Sequence, residues 1–250
     1  GLGATPTIYM SGLSDSSSEV WIPEDVLAGL DRYEFDPDRA AELLRSAGFE
    51  KNEDGIWADA DGVTISGEYK FPAEFDDFSG AALNATDQMN EFGFDITPRA
   101  IPWQQCAEDI RNGNFELSVW SWASGTPFPA GQFYGPIQRF NSALPADQPG
   151  LNFPMEFEWE GEMINLDEMI NATSAGLDIE AQKEMSGKVA QIINELMPYV
   201  PLNYIVSTEP FNEDLISGGP SDDDPILQNP SGSDHFVIYY ILTGVLGPAE

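Results

Sequence analysis

Four things are scarce in this 250-residue chain: cysteine, histidine, lysine and long apolar runs. Cys106 is the only cysteine, which excludes an intramolecular disulfide; a lone thiol of this kind is read as a small buried hydrophobe. His235 is the only histidine, in the segment GSDHFVIYY, and is expected at the edge of a strand rather than in a catalytic role. With one cysteine and one histidine there is no Cys/His metal pattern, and no Gly-x-Ser-x-Gly elbow or phosphate-binding loop occurs. Carboxylates are so abundant that any two could be paired as a glycosidase dyad, so their presence carries no catalytic meaning. The chain is therefore not read as an enzyme, and no cofactor or metal is expected. No membrane-spanning apolar run, signal peptide or lipobox is visible. The start at Gly1, without methionine, is read as that of a processed or excised chain, so the missing targeting segment says little about where a parent protein resides.

What is abundant is acid. Against 43 aspartates and glutamates stand 10 lysines and arginines, for a net charge of −33. The acids are spread through every region, so the charge belongs to the whole surface. Such a surface repels nucleic-acid phosphates and anionic membranes, and nucleic acid is not expected as a partner. It also repels itself at ordinary ionic strength. In molar salt the Debye length falls to about 3 Å and the repulsion is screened. Near absence of lysine beside this excess predicts a halophilic protein, haloarchaeal in type. The Asp222-Asp223-Asp224 run and the 52–61 segment lack the ligand spacing of a calcium loop and are read as solvated turns.

The chemistry that stands out is aromatic. Residues 114–140, NFELSVWSWASGTPFPAGQFYGPIQRF, hold seven rings and only two charges, Glu116 and Arg139, where about 21% of the whole chain is charged. Its first part, 115–122, reads as a mostly apolar strand, and the Gly/Pro/Ser/Thr run after it as a loop. A strand that delivers tryptophans into such a loop suits a flat-walled binding surface. By alternation Trp120 and Trp122 share one strand face; if that face packs inward, one or both belong to the core.

Around this stretch the pattern alternates. Residues 1–35 read as irregular. A helix begins at Asp36-Pro37 and stops at Gly48, with Ala40, Leu43, Leu44 and Ala47 at helical spacing. A turn-rich hairpin, a strand over 63–71, a helix over 76–92 ended by Gly93, a strand over 94–101, a short helix over 104–111 and the 115–122 strand make an α/β unit. Residues 123–160 form a long aromatic loop region. Helices over 163–176 and 179–196 follow, then a buried strand over 199–207, a Pro/Gly/Asp-rich tail, and a last apolar strand over 235–242.

Three segments together resemble a known family. They are YEFDPDRAAELLRSAGF (33–49), GFDITPRAIPWQQCAEDIRNGNFELSVWSW (93–122) and LDEMINATSAGLDIEAQKEMSGKVAQIINELMPYVPLNY (166–204). Their order and spacing are similar to those of family 5 extracellular solute-binding proteins of ABC importers, a group with dipeptide-, oligopeptide-, nickel- and cellobiose-binding members. The resemblance covers about two-thirds of the chain. It implies a mixed-sheet α/β lobe of the type II periplasmic-binding-protein-like fold, with helices packed on the sheet. Members of the family are about twice as long and two-lobed, so residues 1–250 are expected to be a single lobe, the second, with 208–250 an irregular tail. The resemblance further implies an extracellular, membrane-anchored parent, ABC permease subunits and an N-terminal lobe as partners, and a solute trapped between lobes.

In peptide-binding members, the resemblance implies, an aspartate shortly after the strand-end tryptophan pairs with the peptide's amino group. Here Trp122 is followed by Ala123, Ser124, Gly125, Thr126, Pro127 and Phe128, with no acid among them. An ammonium buried without a carboxylate is costly, so an oligosaccharide is favoured over an oligopeptide. The Gly-Thr-Pro-Phe run is similar to that of the cellobiose-binding branch. The candidate ligand-binding residues are Trp103, Trp120, Trp122, Gly125, Thr126, Pro127, Phe128, Phe133 and Tyr134, with Gln132 and Asn141 as further hydroxyl-directed groups. An acidic cell-surface structural domain is the reading from another class; exposed rings beside Gly-Thr-Pro argue against it.

Overall fold

The computed structural model describes residues 3–121, 126–206, 212, 214–221, 224, 226 and 234–249. In chain order the elements are β1 (Gly3–Pro6), α1 (Asp15–Trp21), α2 (Glu24–Gly29), α3 (Pro37–Ser46), β2 (Glu50–Lys51), β3 (Trp57–Ala58), β4 (Ser66–Pro72) and α4 (Asp76–Phe92). Then come β5 (Asp95–Ile101), α5 (Trp103–Arg111), β6 (Leu117–Ser118), α6 (Pro129–Phe133) and a wider π-type helical segment, Tyr134–Ser142. The remainder is β7 (Glu156–Trp159), β8 (Glu162–Asn165), α7 (Leu166–Ala172), α8 (Ile179–Leu196), β9 (Asn203–Val206), β10 (Ile216–Ser217), α9 (Asp234–Leu242) and β11 (Gly247–Pro248). The architecture is mixed α/β. It divides into two compact units, one of Gly1–Arg32, Ala123–Gln138 and Met155–Glu250, the other of Tyr33–Trp122 and Arg139–Pro154.

The second of these units carries a parallel sheet of order β5-β4-β6. Helix α4 joins β4 to β5 on one side, and α5 joins β5 to β6 on the other side of β4. Right-handed crossovers running in opposite directions place their helices on opposite faces. Packing agrees. Tyr69, Phe71, Ile96 and Val119 are buried with Ala82 and against Phe78, Ala85 and Met89 of α4, whereas Ile101, Trp120 and Phe140 are buried with Cys106, Ala107 and Ile110 of α5. Lys70 of β4 donates to Asp109 of α5 at 2.8 Å. Burial pushes the Asp109 carboxyl up, but the Lys70 ammonium and the Gln105 amide prevail and hold it below the usual range. The Cys106 thiol is pushed up, chiefly by burial, and packs as a small hydrophobe.

Local signals are obeyed where they are strong. Asp36 accepts from the Arg39 N–H at 2.9 Å, Pro37 opens α3, and α4 ends at Gly93 in the left-handed region (φ 111°). In the other unit α8 buries Val189, Ala190, Ile192 and Ile193 completely, and β1 pairs antiparallel with β9.

Several expectations are corrected. Residues 1–35 are not irregular: β1, α1 and α2 lie there. The serine-rich DSSSEVW becomes helical because Ser14 caps it and buried Asp15 accepts from the Ile8 N–H at 3.1 Å, a contact outside the helix. The strand expected over 115–122 is shorter, Leu117–Ser118, with the Val119 N–H still donating to the Lys70 carbonyl at 3.1 Å, while the side chains of Val119 and Trp120 are drawn into packing. Within 123–160, taken as loop, stand α6, the π-type segment and β7. The strand expected over 199–207 is shorter, Asn203–Val206, and the 235–242 strand is the helix α9; a short apolar run satisfies either geometry. Asn52 and Asp59 accept backbone N–H groups and close the turns of the 52–61 segment, while Asp222 and Asp223 lie outside the described residues.

Candidate functional site

The expected site residues fall into two groups, one in each unit. The first is the arm that runs from Thr126 through α6 to Tyr134. Pro129 sets the first helical position of α6. A methyl group on Gly131 would lie 2.3 Å from Thr126 Cγ2, so glycine is required for Thr126 to lie on the helix. The arm is tied to α1 by Gln132. Its amide nitrogen donates to Ser17 Oγ at 2.7 Å and to the Thr126 carbonyl at 2.8 Å, and its oxygen accepts from the Ser14 N–H at 2.9 Å. Gln132 is thus buried and fully engaged, a latch rather than a ligand contact. Asn141 is likewise spent, on the backbone of Phe153.

Trp21, at the end of α1, completes this group, and sequence reasoning missed it. Its indole N–H donates to the Pro127 carbonyl at 2.8 Å, and its ring lies 6.4 Å from that of Phe128 at 49°. Phe128 is 55% exposed and Tyr134 44% exposed, whereas Thr126 and Pro127 are half-buried. Phe133 is fully buried and belongs to the core. Trp122 and Gly125 lie outside the described residues. Nothing local to Trp21 could have revealed the pairing, since 106 residues separate it from Pro127.

The second group sits at the carboxyl ends of β4, β5 and β6. Trp103, the first residue of α5, stacks on Trp120 with centroids 4.2 Å apart and planes 14° apart. Trp120 in turn meets Phe140 edge-on at 6.2 Å, is only 8% exposed, and is a core residue. Its tight burial follows from the two-sided covering of the sheet: Val119 fills the α4 cluster and Trp120 the α5 cluster. Trp103 is half-buried, and two residues not expected from the sequence join it, Phe75 and Glu74. Trp120→Ala is expected to lose about 3–5 kcal/mol of stability, the range for emptying an aromatic core site. Urea unfolding checks this; an unchanged midpoint would return Trp120 to the surface.

Among the described residues both groups present aromatic faces and backbone hydrogen-bonding groups, the chemistry of a binding surface. Among the described residues no group of three or more His, Cys, Asp or Glu is placed to hold a metal ion. A further concavity of about 810 Å³ lies by α1, α2 and α8, floored by Val20, Ile22, Pro23 and Leu27, and includes none of the expected site residues.

Residues 4–141 match the model of the bacterial extracellular solute-binding proteins, family 5 middle region, and the chain belongs to this family. The fold is that of its periplasmic-binding-protein-like members. A periplasmic oligopeptide-binding protein of an oligopeptide ABC transporter from Thermotoga maritima is similar over 99% of this chain and 45% of its own, with a TM-score of 0.71 and 17% identity. The same Thermotoga protein bound to mannohexaose gives 0.61 and 16%, over 100% of this chain and 45% of its own. NikZ from Campylobacter jejuni, in complex with Ni(L-His), gives 0.59 and 19%, over 82% and 37%. This chain thus spans less than half the length of these solved relatives. Comparison with curated protein sequences gives no match. No helix among the described residues is long and apolar enough to cross a membrane.

Proposed function

We propose that this chain is the solute-binding part, the second lobe, of an extracellular receptor that delivers an oligosaccharide to ABC-importer permease subunits. It is not an enzyme. The observation that carries the reading is the latched arm: an exposed Phe128 ring beside Trp21, held in place by the buried Gln132. A fixed aromatic face costs little ordering on binding, because its conformational entropy is spent in folding. Tyr134, Gly125 and the Thr126-Pro127 backbone extend the proposed contacts of the arm, and Trp103 and Trp122 are proposed as contacts of the other unit. The arm supplies flat faces and no carboxylate, which suits the apolar face of a pyranose better than an ammonium. A mannohexaose complex among structures of similar fold is in keeping with this choice. The net charge of −33 suits a protein working in molar salt, in a halophilic host, on a membrane-anchored parent.

Tryptophan fluorescence in molar KCl, titrated with oligosaccharides and with oligopeptides, tests the ligand class. A saturable response to saccharides alone is expected, and a response to peptides alone would replace the carbohydrate reading by a peptide receptor of the same family. Phe128→Ala is expected to weaken saccharide binding by about tenfold, roughly 1.4 kcal/mol, with an unchanged melting temperature. Unfolding of the variant, or unchanged affinity, would remove the arm from the site.

A further inference from the structure

We propose that Phe75 and Glu74 form, with Trp103, a subsite for one sugar ring at the carboxyl end of the parallel sheet; the inference rests on the carbohydrate reading above. Three observations carry it. The first is position. Strand β4 is central, and the connections leave it toward β5 on one side and reach β6 on the other, so the chain reverses direction at β4. In open α/β sheets ligands bind outside the carboxyl ends of the strands at this reversal, where the flanking loops part. Phe75 and Glu74 follow β4 directly at that edge, and Trp103 follows β5.

The second is the setting of the ring. Phe75 is 40% exposed yet fixed, perpendicular to Trp103 with centroids 5.3 Å apart and to Phe78 at 5.7 Å. Trp103 is itself held by its stack on Trp120. A ring buttressed from two sides keeps its orientation when water is displaced from its open surface, so binding does not have to order it.

The third is the neighbouring acceptor. Both Glu74 carboxylate oxygens lie near the Trp103 N–H, at 2.9 and 3.2 Å, at the start of α5. One N–H leaves most of the carboxylate's acceptor capacity free, and Glu74 is exposed. A pyranose offers what this pair lacks: C–H groups on its face for Phe75, and hydroxyl donors at its rim for Glu74. The adjoining negative charge disfavours an anionic ligand.

Calorimetric titration of the whole chain in molar KCl, with mannohexaose and cellobiose as probes, tests the subsite through Phe75→Leu, Phe75→Trp and Glu74→Gln. Phe75→Leu keeps bulk and hydrophobicity but removes the flat face. It is expected to weaken binding of the saccharide that the unaltered chain takes by about tenfold, while Phe75→Trp holds affinity within about twofold. Glu74→Gln is expected to weaken it several-fold with unchanged circular dichroism. Saccharide binding that is indifferent to Phe75→Leu overturns the subsite and leaves the carbohydrate reading standing. No saccharide binding by the unaltered chain overturns both. Binding of trialanine instead, lost in Glu74→Gln, overturns the sugar assignment and makes Glu74 an ammonium partner.

Discussion

Lowering KCl from molar concentration to about 0.1 M is expected to unfold the chain. The Debye length grows from about 3 Å to about 10 Å across this change, so carboxylates on neighbouring turns and strands begin to feel one another. Two of them about 8 Å apart repel by about 0.5 kcal/mol in unscreened water. Even if each of the 10 basic residues neutralised one acid, 33 acids would be left without a counter-charge. Tens of such pairs outweigh a net stability of about 5–15 kcal/mol. Several of the basic residues are already paired with acids, as in Lys70–Asp109, Arg99–Glu68 and Lys188–Glu184. Far-UV circular dichroism and tryptophan emission followed against KCl measure the effect. A chain equally stable at both concentrations would show that the surface tolerates its charge and would sink the halophilic reading.

The second large effect is expected from Gly12→Ala. Gly12 lies in the left-handed region, φ 87°, which costs an L-residue about 1–2 kcal/mol. The added methyl would also stand 2.9 Å from Ile193 Cδ1, 2.9 Å from the Tyr199 hydroxyl and 3.1 Å from Phe133 Cε1. Ile193 and Phe133 are fully buried, so neither has room to withdraw, and overpacking of this kind adds about 1–3 kcal/mol. The Tyr199 hydroxyl is buried without a hydrogen-bond partner among the described residues, and burial pushes its pKa far up. Together the terms predict a loss of about 2–5 kcal/mol. Gly48→Ala is the control: its φ is 92°, but nothing lies within 4 Å of the new methyl, so only the backbone cost remains. Equal losses in the two variants would show that the contact at Gly12 relaxes freely.

Because Phe133 closes the buried side of α6, Gly12 also bears on the binding arm. Its replacement is expected to disturb the Phe128 face without touching it. This coupling could not be read from the chain, where 121 residues separate Gly12 from Phe133.

How much was legible varies with the range of the forces. Helix α3 was readable because its cap, its proline and its terminating glycine are adjacent in sequence. Helix α4 was readable because one face repeats at helical spacing and Gly93 stops it. Helix α1 was not, since serines cap and turn as readily as they propagate, and the contact of its first residue, Asp15, with the Ile8 N–H outside the helix forms only on folding. Helix α9 was mistaken for a strand because an unbroken apolar run has no period.

The same division runs through the candidate site. The aromatic excess of residues 114–140 was plain, and with it the reading of a binding protein. Which rings are free was not: Trp120 and Phe133 went to the core and Phe128 stayed exposed, though all three look alike in composition. Trp21, Gln132, Glu74 and Phe75 took their places through partners tens of residues away.

The amino-acid order alone settles the charge, the capped helices and the supply of rings, for these depend on composition and on neighbours within a helical turn. The choice between core ring and open ring, and between latch and ligand contact, belongs to the folded chain. It rests on burial and on hydrogen bonds closed between distant segments, which exist only when the packing brings them together.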